Sequence, residues 1–290
     1  MNYLIELILK LAKVDRRWIF LIIGLVVLIP LMYPLSLPIR PGKDSQQVYD
    51  FVESLEENSK ILLSVEYGPS TKPEIHPMVT SLLRHVFSLD SNGLERGHKV
   101  YVTCLWADGQ FMAEEALEEV AANEYGLTYG EDYVLLGFRP GAEAVVKGIV
   151  SNLRKVFTID ARGTKLAEIP MMEGVNRFED FDFLFSGSAG YPGTQEWVLF
   201  ASDPTGVPMS TGTTSIIVNE MMPYVLGGQI QGILAGMPGA AEYEKLIGIK
   251  GVGTSGMDAQ SAAHFVIVIF IFLGNLGYFI ERKRSKRHQG

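Results

Sequence analysis

The sequence predicts an α/β chain, a Rossmann-like, doubly wound and mostly parallel sheet flanked by two transmembrane helices. Three observations carry that expectation. Short apolar runs alternate with longer amphipathic ones across residues 40–249, the order of a parallel sheet covered by helices on both faces. Two long uncharged apolar runs bracket that region, and clusters of basic residues lie outside both.

The first run, residues 18–39, holds 22 residues without a charge and is rich in Ile, Leu and Val. About 20 apolar residues cross a hydrocarbon core about 30 Å thick, so this is the expected transmembrane helix 1, with Pro30 and Pro34 kinking or ending it. It is longer than the roughly 7–15 apolar residues of a secretory signal, and residues 33–38 offer no small-x-small cleavage site. Ahead of it, within residues 1–17, Leu4, Ile5, Ile8, Leu11 and Ala12 fall at helical spacing opposite Glu6, Lys10 and Lys13. An amphipathic helix on the inner leaflet and an early start of the membrane helix both fit that pattern.

The second run, residues 261–280, is interrupted only by His264 and Asn275 among mild or apolar residues and is the expected transmembrane helix 2. Lys10, Lys13, Arg16 and Arg17 precede the first run, and a basic tail over residues 281–290 follows the second. The positive-inside rule then makes both termini cytoplasmic and residues 40–249 extracytoplasmic or periplasmic, at a plasma (inner) membrane.

Within residues 40–249, Val48, Phe51, Val52 and Leu55 recur at i, i+3, i+4 and i+7 behind Asp44 and Ser45, which predicts an opening helix. Strands are expected over residues 61–65, 100–106, 133–138, 181–185 and 207–210, and helices over 75–87, 111–125, 142–156 and 194–200. Residues 250–260 read as a Gly/Ser linker.

Open parallel sheets bind ligands beyond the carboxyl ends of their strands. The turns expected there supply a candidate ligand pocket: Tyr67, Gly68 and Ser70 after the first strand, Asp108 after the second and Gly141 after the third. Ser186, Gly187, Ser188, Gly190 and Thr194 follow the fourth, and Thr213 the fifth. Residues of these types also build ordinary strand-to-helix turns, so pocket and plain turns both fit. Glu66, Asp108 and Arg139 each end a strand or begin the next turn, which makes them candidates for acid, base and anion clamp, with Ser188 or Thr194 beside them.

Familiar catalytic motifs fail one by one. Gly251, Gly253 and Gly256 match G-x-G-x-x-G, but no βαβ unit follows them, and no phosphate-binding P-loop is present. Ser188 lacks the leading glycine of a nucleophile elbow, because position 186 is Ser. Asp180 and Asp182 stand at the entrance of a strand, and Glu114, Glu115, Glu118 and Glu119 read as the wet face of a helix. With the single Cys104 no intrachain disulfide forms. The five histidines have no ligand spacing, so no metal and no cofactor is expected.

Gly228, Gly232 and Gly236 are spaced by four within the uncharged stretch 221–237. On a helix they would form a groove, and the sequence leaves open whether it meets the sheet, a partner or second copy, or the bilayer.

Nine of the 25 basic and three of the 33 acidic residues lie in the tails, leaving the intervening domain with a net charge of −14. Such a surface disfavours nucleic acid. The function expected is a membrane-anchored, non-catalytic extracytoplasmic module that binds a ligand or protein partner, as a subunit of a membrane complex or homo-oligomer. The alternative is a membrane-anchored enzyme with its site at the carboxyl edge of the sheet.

Overall fold

The computed structural model describes Glu6 and residues 9–11, 14–35, 37–90 and 92–288, with side chains through Lys283. Most of the amphipathic pattern read in residues 1–17 therefore lies outside the described residues, as do the side chains that close the basic tail. In chain order the elements are α1 (Arg16–Met32), α2 (Lys43–Glu53), β1 (Lys60–Glu66), α3 (Lys72–Phe87) and β2 (Lys99–Cys104). They continue with α4 (Ala107–Ala116, extended by π turns over Leu117–Glu124), β3 (Tyr133–Phe138), α5 (Glu143–Val156) and β4 (Phe183–Ser188). The chain closes with α6 (Thr194–Trp197, running on to Thr205), β5 (Met209–Thr213), α7 (Val218–Leu226), β6 (Ile233–Ala235), α8 (Gly236–Leu246) and α9 (Val252–His288). Contacts divide it into two units, residues 38–254 and residues 1–37 with 255–290.

In the first unit the six strands pair in parallel in the order β3-β2-β1-β4-β5-β6. The α/β parallel sheet expected from the alternation is thus present. Its order reverses between β1 and β4, the switch point at which this architecture opens a crevice. Residues 61–66 of β1 are all buried, because helices cover both faces. Strand period two then divides the core: Ile61, Leu63 and Val65 pack with Val48, Val79 and Val120 on one face, and Leu62 with Leu184, Trp197 and Met209 on the other. Strand ends differ from the expectation chiefly at β4, which extends to Ser188, so that residues 186–188 lie in the strand and not in the following loop. β6 lies in a stretch with no strand expected, being only three residues long.

The glycine groove does not form. α7 ends at Leu226, Gly228 takes a left-handed turn at φ +77°, Gly232 precedes β6, and Gly236 opens α8 at φ +58°. A β-carbon on Gly232 would stand 2.8 Å from Asp44 O and Val48 N, so this glycine lets the chain pass closely over α2. The candidate interface residues Gly228, Gly232 and Gly236 therefore share no helix face.

Residues 252–260, expected as linker, are helical, and the reason is a cap supplied from elsewhere. Glu244 of α8 is buried and accepts from Gly253 N (2.8 Å), Thr254 N (2.7 Å), Thr254 Oγ1 (2.6 Å) and Gly251 N (3.1 Å). Those donors surround the amino end of α9, where no intrahelical acceptor exists.

In the second unit α1 has 17 residues, shorter than the expected span 18–39, and the chain beyond it is punctuated by Pro34 and Pro38, neither of which can donate to a helix. Among the described residues one helix is long and apolar enough to cross a membrane, within Val252–Lys283. The structure therefore supports one candidate spanning helix where the sequence predicts two. Within the same unit, Leu37 N donates to the buried carboxylate of Asp258 at 3.0 Å, tying the segment after α1 to α9.

Candidate functional site

The switch point is built from a layer of small polar side chains. On the face that carries Leu62, Leu184 and Met209, each strand turns polar toward its carboxyl end: Ser64 and Glu66 on β1, Ser186 and Ser188 on β4, Thr211 and Thr213 on β5. All six are buried. Pairing in register, Glu66 opposite Ser188 and Ser186 opposite Thr211, brings them to one height. Thr194, at the start of α6, roofs the layer.

The hydrogen bonds there have a direction that can be read from one end. Thr211 Oγ1 donates to the carbonyl of Ser186 at 2.8 Å, so its oxygen accepts from Thr194 Oγ1 at 2.7 Å. Thr194 Oγ1 in turn accepts from Ser186 Oγ at 3.1 Å. Each hydroxyl has one proton. Ser186 Oγ also donates to Glu66 Oε2 at 3.3 Å, so its single proton is shared between Thr194 and the carboxyl. Burial pushes the Glu66 pKa up to about 8 and so favours its neutral form, against opposing hydrogen bonds that include those donated by Ser64 and Ser186.

A small cavity of about 50 Å³ lies over this layer, lined by Ser188, Gly190, Tyr191, Thr194 and Glu196 and by Ile217, Glu220 and Met221 beyond β5. Its rim is fixed. Gly193 N donates to Glu196 Oε2 at 2.6 Å, and a β-carbon on Gly193 would stand 2.0 Å from Ser188 Oγ, so only glycine fits. Trp106 Nε1 donates to Pro192 O at 2.7 Å and joins the turns after β2 and β4. The cavity has room for a water molecule or two, well below the roughly 300 Å³ at which ligand pockets begin. Tyr191 and Ile216, on the turns beside it, are 73% and 84% exposed.

The sequence-predicted residues thus fall into groups. Glu66, Ser186 and Thr194 form one network, and Ser188, Gly190 and Thr194 border the small cavity, while Gly187 is buried within β4 and Thr213 is buried with its hydroxyl unpartnered. Asp108 is exposed at the start of α4, 3.2 Å from the β-carbon position of Gly68. Tyr67 points to the opposite face, where its hydroxyl meets His76 Nδ1 at 2.8 Å, and Ser70 is exposed. Arg139 is occupied: it donates to the carbonyls of Phe138, Val156 and Ile159 and lies over the Phe157 ring. Gly141, at φ +132°, belongs to the same outer turn after β3. No hydrogen bond or ion pair joins Glu66, Asp108 and Arg139 to one another.

Ser64 and Thr211 were not singled out in the sequence. The signal was available: polar residues at period two, at the same end of successive apolar strands. Among the described residues no group of three or more His, Cys, Asp or Glu could hold a metal ion. In comparisons with known proteins, no family, no curated sequence and no solved structure matches the chain.

Proposed function

We propose that this chain is a membrane-anchored, non-catalytic α/β module whose domain stands outside the cytoplasm and holds a ligand or a partner subunit within a membrane complex. The observation that carries this reading is the double clamp on α8. Glu242 accepts from Gly42 N at 3.0 Å and Ser45 Oγ at 2.7 Å, at the chain's entry into the domain. Two residues on, Glu244 holds the exit at Gly251, Gly253 and Thr254. One helix therefore grips both stems of the domain. A domain carried on an anchor is served by stems held in this way, through charge-assisted hydrogen bonds that are part-buried at Glu242 and buried at Glu244. The basic flanks of both apolar segments support cytoplasmic termini. The filled switch point supports binding at a rigid surface, with Tyr191 and Ile216 as apolar contacts.

Impermeant thiol labelling tests the placement. Cys104 is buried and its thiol pKa is raised by burial, so the native chain gives little background. Glu57→Cys in intact cells should label and Lys10→Cys should label only after lysis. Labelling of Lys10→Cys alone in intact cells, or recovery of the chain in the soluble fraction, contradicts the proposal.

One observation favours an enzyme instead: a fully buried carboxyl, Glu66, at the switch point, whose pKa burial raises to about 8, the range of a general acid. Catalysis through it would require the turn over residues 189–193 to open. Turnover that is lost in Glu66→Gln while the fold is retained would establish that alternative.

A further inference from the structure

A groove of about 620 Å³ runs between one face of α3, the carboxylates of α4 and residues 249–252. Most of its charges are spent on one another. Lys72 Nζ lies 2.5 Å from Glu115, and Arg84 lies 2.6 Å from Glu119 and 2.5 Å from Glu124. Lys250, on the third wall and in none of these ion pairs, brings the groove to three cations against three carboxylates. Between the two ends of this ladder stands His76, 9% exposed. Its Nδ1 meets the hydroxyl of the fully buried Tyr67, and its Nε2 has no hydrogen-bond partner, since Glu119 Oε2 at 3.6 Å is out of reach.

The tautomer follows from the buried tyrosine. Tyr67 is kept protonated by burial, and Nδ1 is its partner, so the hydroxyl donates there and the proton of the neutral ring sits on Nε2. Burial also lowers the His76 pKa, which keeps the ring neutral. The groove therefore offers one unmet buried donor, a balanced set of charges that leaves no net attraction for an ion, and apolar walls at Pro73, Pro77, Ile249 and Val252.

We propose that this groove binds an uncharged, mainly apolar molecule whose carbonyl oxygen accepts a hydrogen bond from His76 Nε2. Its volume falls in the range of small-molecule sites, and an acceptor there satisfies a donor that is costly to leave unmade. Lipid-soluble quinones and glycerol esters share this chemistry.

The test is calorimetric titration of the full chain in detergent with a decyl-substituted benzoquinone and, separately, with dioctanoylglycerol. Saturable binding of at least one at a single site is expected, and which one binds identifies the source of the carbonyl. His76→Phe should weaken it roughly three- to tenfold, the worth of one neutral hydrogen bond. Val252 is 67% exposed, so Val252→Trp fills the groove mouth without disturbing the core and should abolish binding. Absence of saturable binding by both compounds, or unchanged affinity in both variants, overturns the proposal. The titration needs no membrane, so its failure is distinct from a failure of anchoring, which the labelling experiment reads.

Discussion

Glu244 is the residue on which the exit stem depends. It is 1% exposed and accepts four hydrogen bonds, three from backbone amides at the amino end of α9 and one from the Thr254 hydroxyl. Glu244→Gln keeps the shape but removes the charge and one acceptor oxygen. Hydrogen bonds to a charged group contribute about 1.5–3 kcal/mol each, and a negative charge at a helix amino end adds about 0.3–1 kcal/mol. The loss of one such bond, with the charge, comes to about 2 kcal/mol. Glu244→Ala strands all four donors and should cost about 4 kcal/mol, near the upper limit for a single substitution. Hydrogen exchange of the full chain in detergent reads this locally. At tenfold per 1.4 kcal/mol, the amides of Gly253 and Thr254 should exchange about 30-fold faster in Glu244→Gln. Unchanged protection of both amides in Glu244→Ala would refute the cap and, with it, the explanation for why residues 252–260 are helical.

Three further outcomes follow from the same packing. The raised pKa of Glu66 means its neutral form stabilises the fold fully below the ordinary carboxyl value of 4.5, and this contribution is lost as pH rises toward about 8. Unfolding free energies from urea titrations at pH 5 and pH 8 should therefore differ by up to a few kcal/mol in the wild type, and Glu66→Gln should remove that difference. Gly232→Ala should destabilise the domain by about 1–3 kcal/mol in urea unfolding, because its β-carbon meets Asp44 O and Val48 N at 2.8 Å. Arg139→Lys should cost about 1–2 kcal/mol in the same measurement and leave ligand affinity unchanged, since the guanidinium serves three carbonyls and the Phe157 ring.

The alternation of apolar and amphipathic runs was legible because buried parallel strands cannot hide their composition: residues 133–138 stand where the run of Tyr133 to Phe138 puts them. The carboxyl edge was legible for the same reason, and Glu66, Ser186 and Thr194 do meet there. What escaped was set by distant partners. Glu242 lies 200 residues from Gly42, and no local pattern announces that it caps that segment. Gly251, Gly253 and Thr254 look like linker until Glu244 is beside them. Arg139 looked free because its three carbonyl acceptors, at Phe138, Val156 and Ile159, are brought together only by the turn that follows α5. The spacing of Gly228, Gly232 and Gly236 misled because spacing by four implies a face only if the stretch is helical, and the turn at Gly227-Gly228 breaks it.

The central claim, an anchored module that holds a ligand or partner, is tested most directly by extracting the chain from its native membrane in mild detergent and measuring the intact mass. The account predicts a membrane-derived particle heavier than 32.1 kDa, with a stoichiometric partner, second copy or bound small molecule identified by mass spectrometry. A bare monomer, released from the membrane by carbonate wash and carrying nothing, would contradict it.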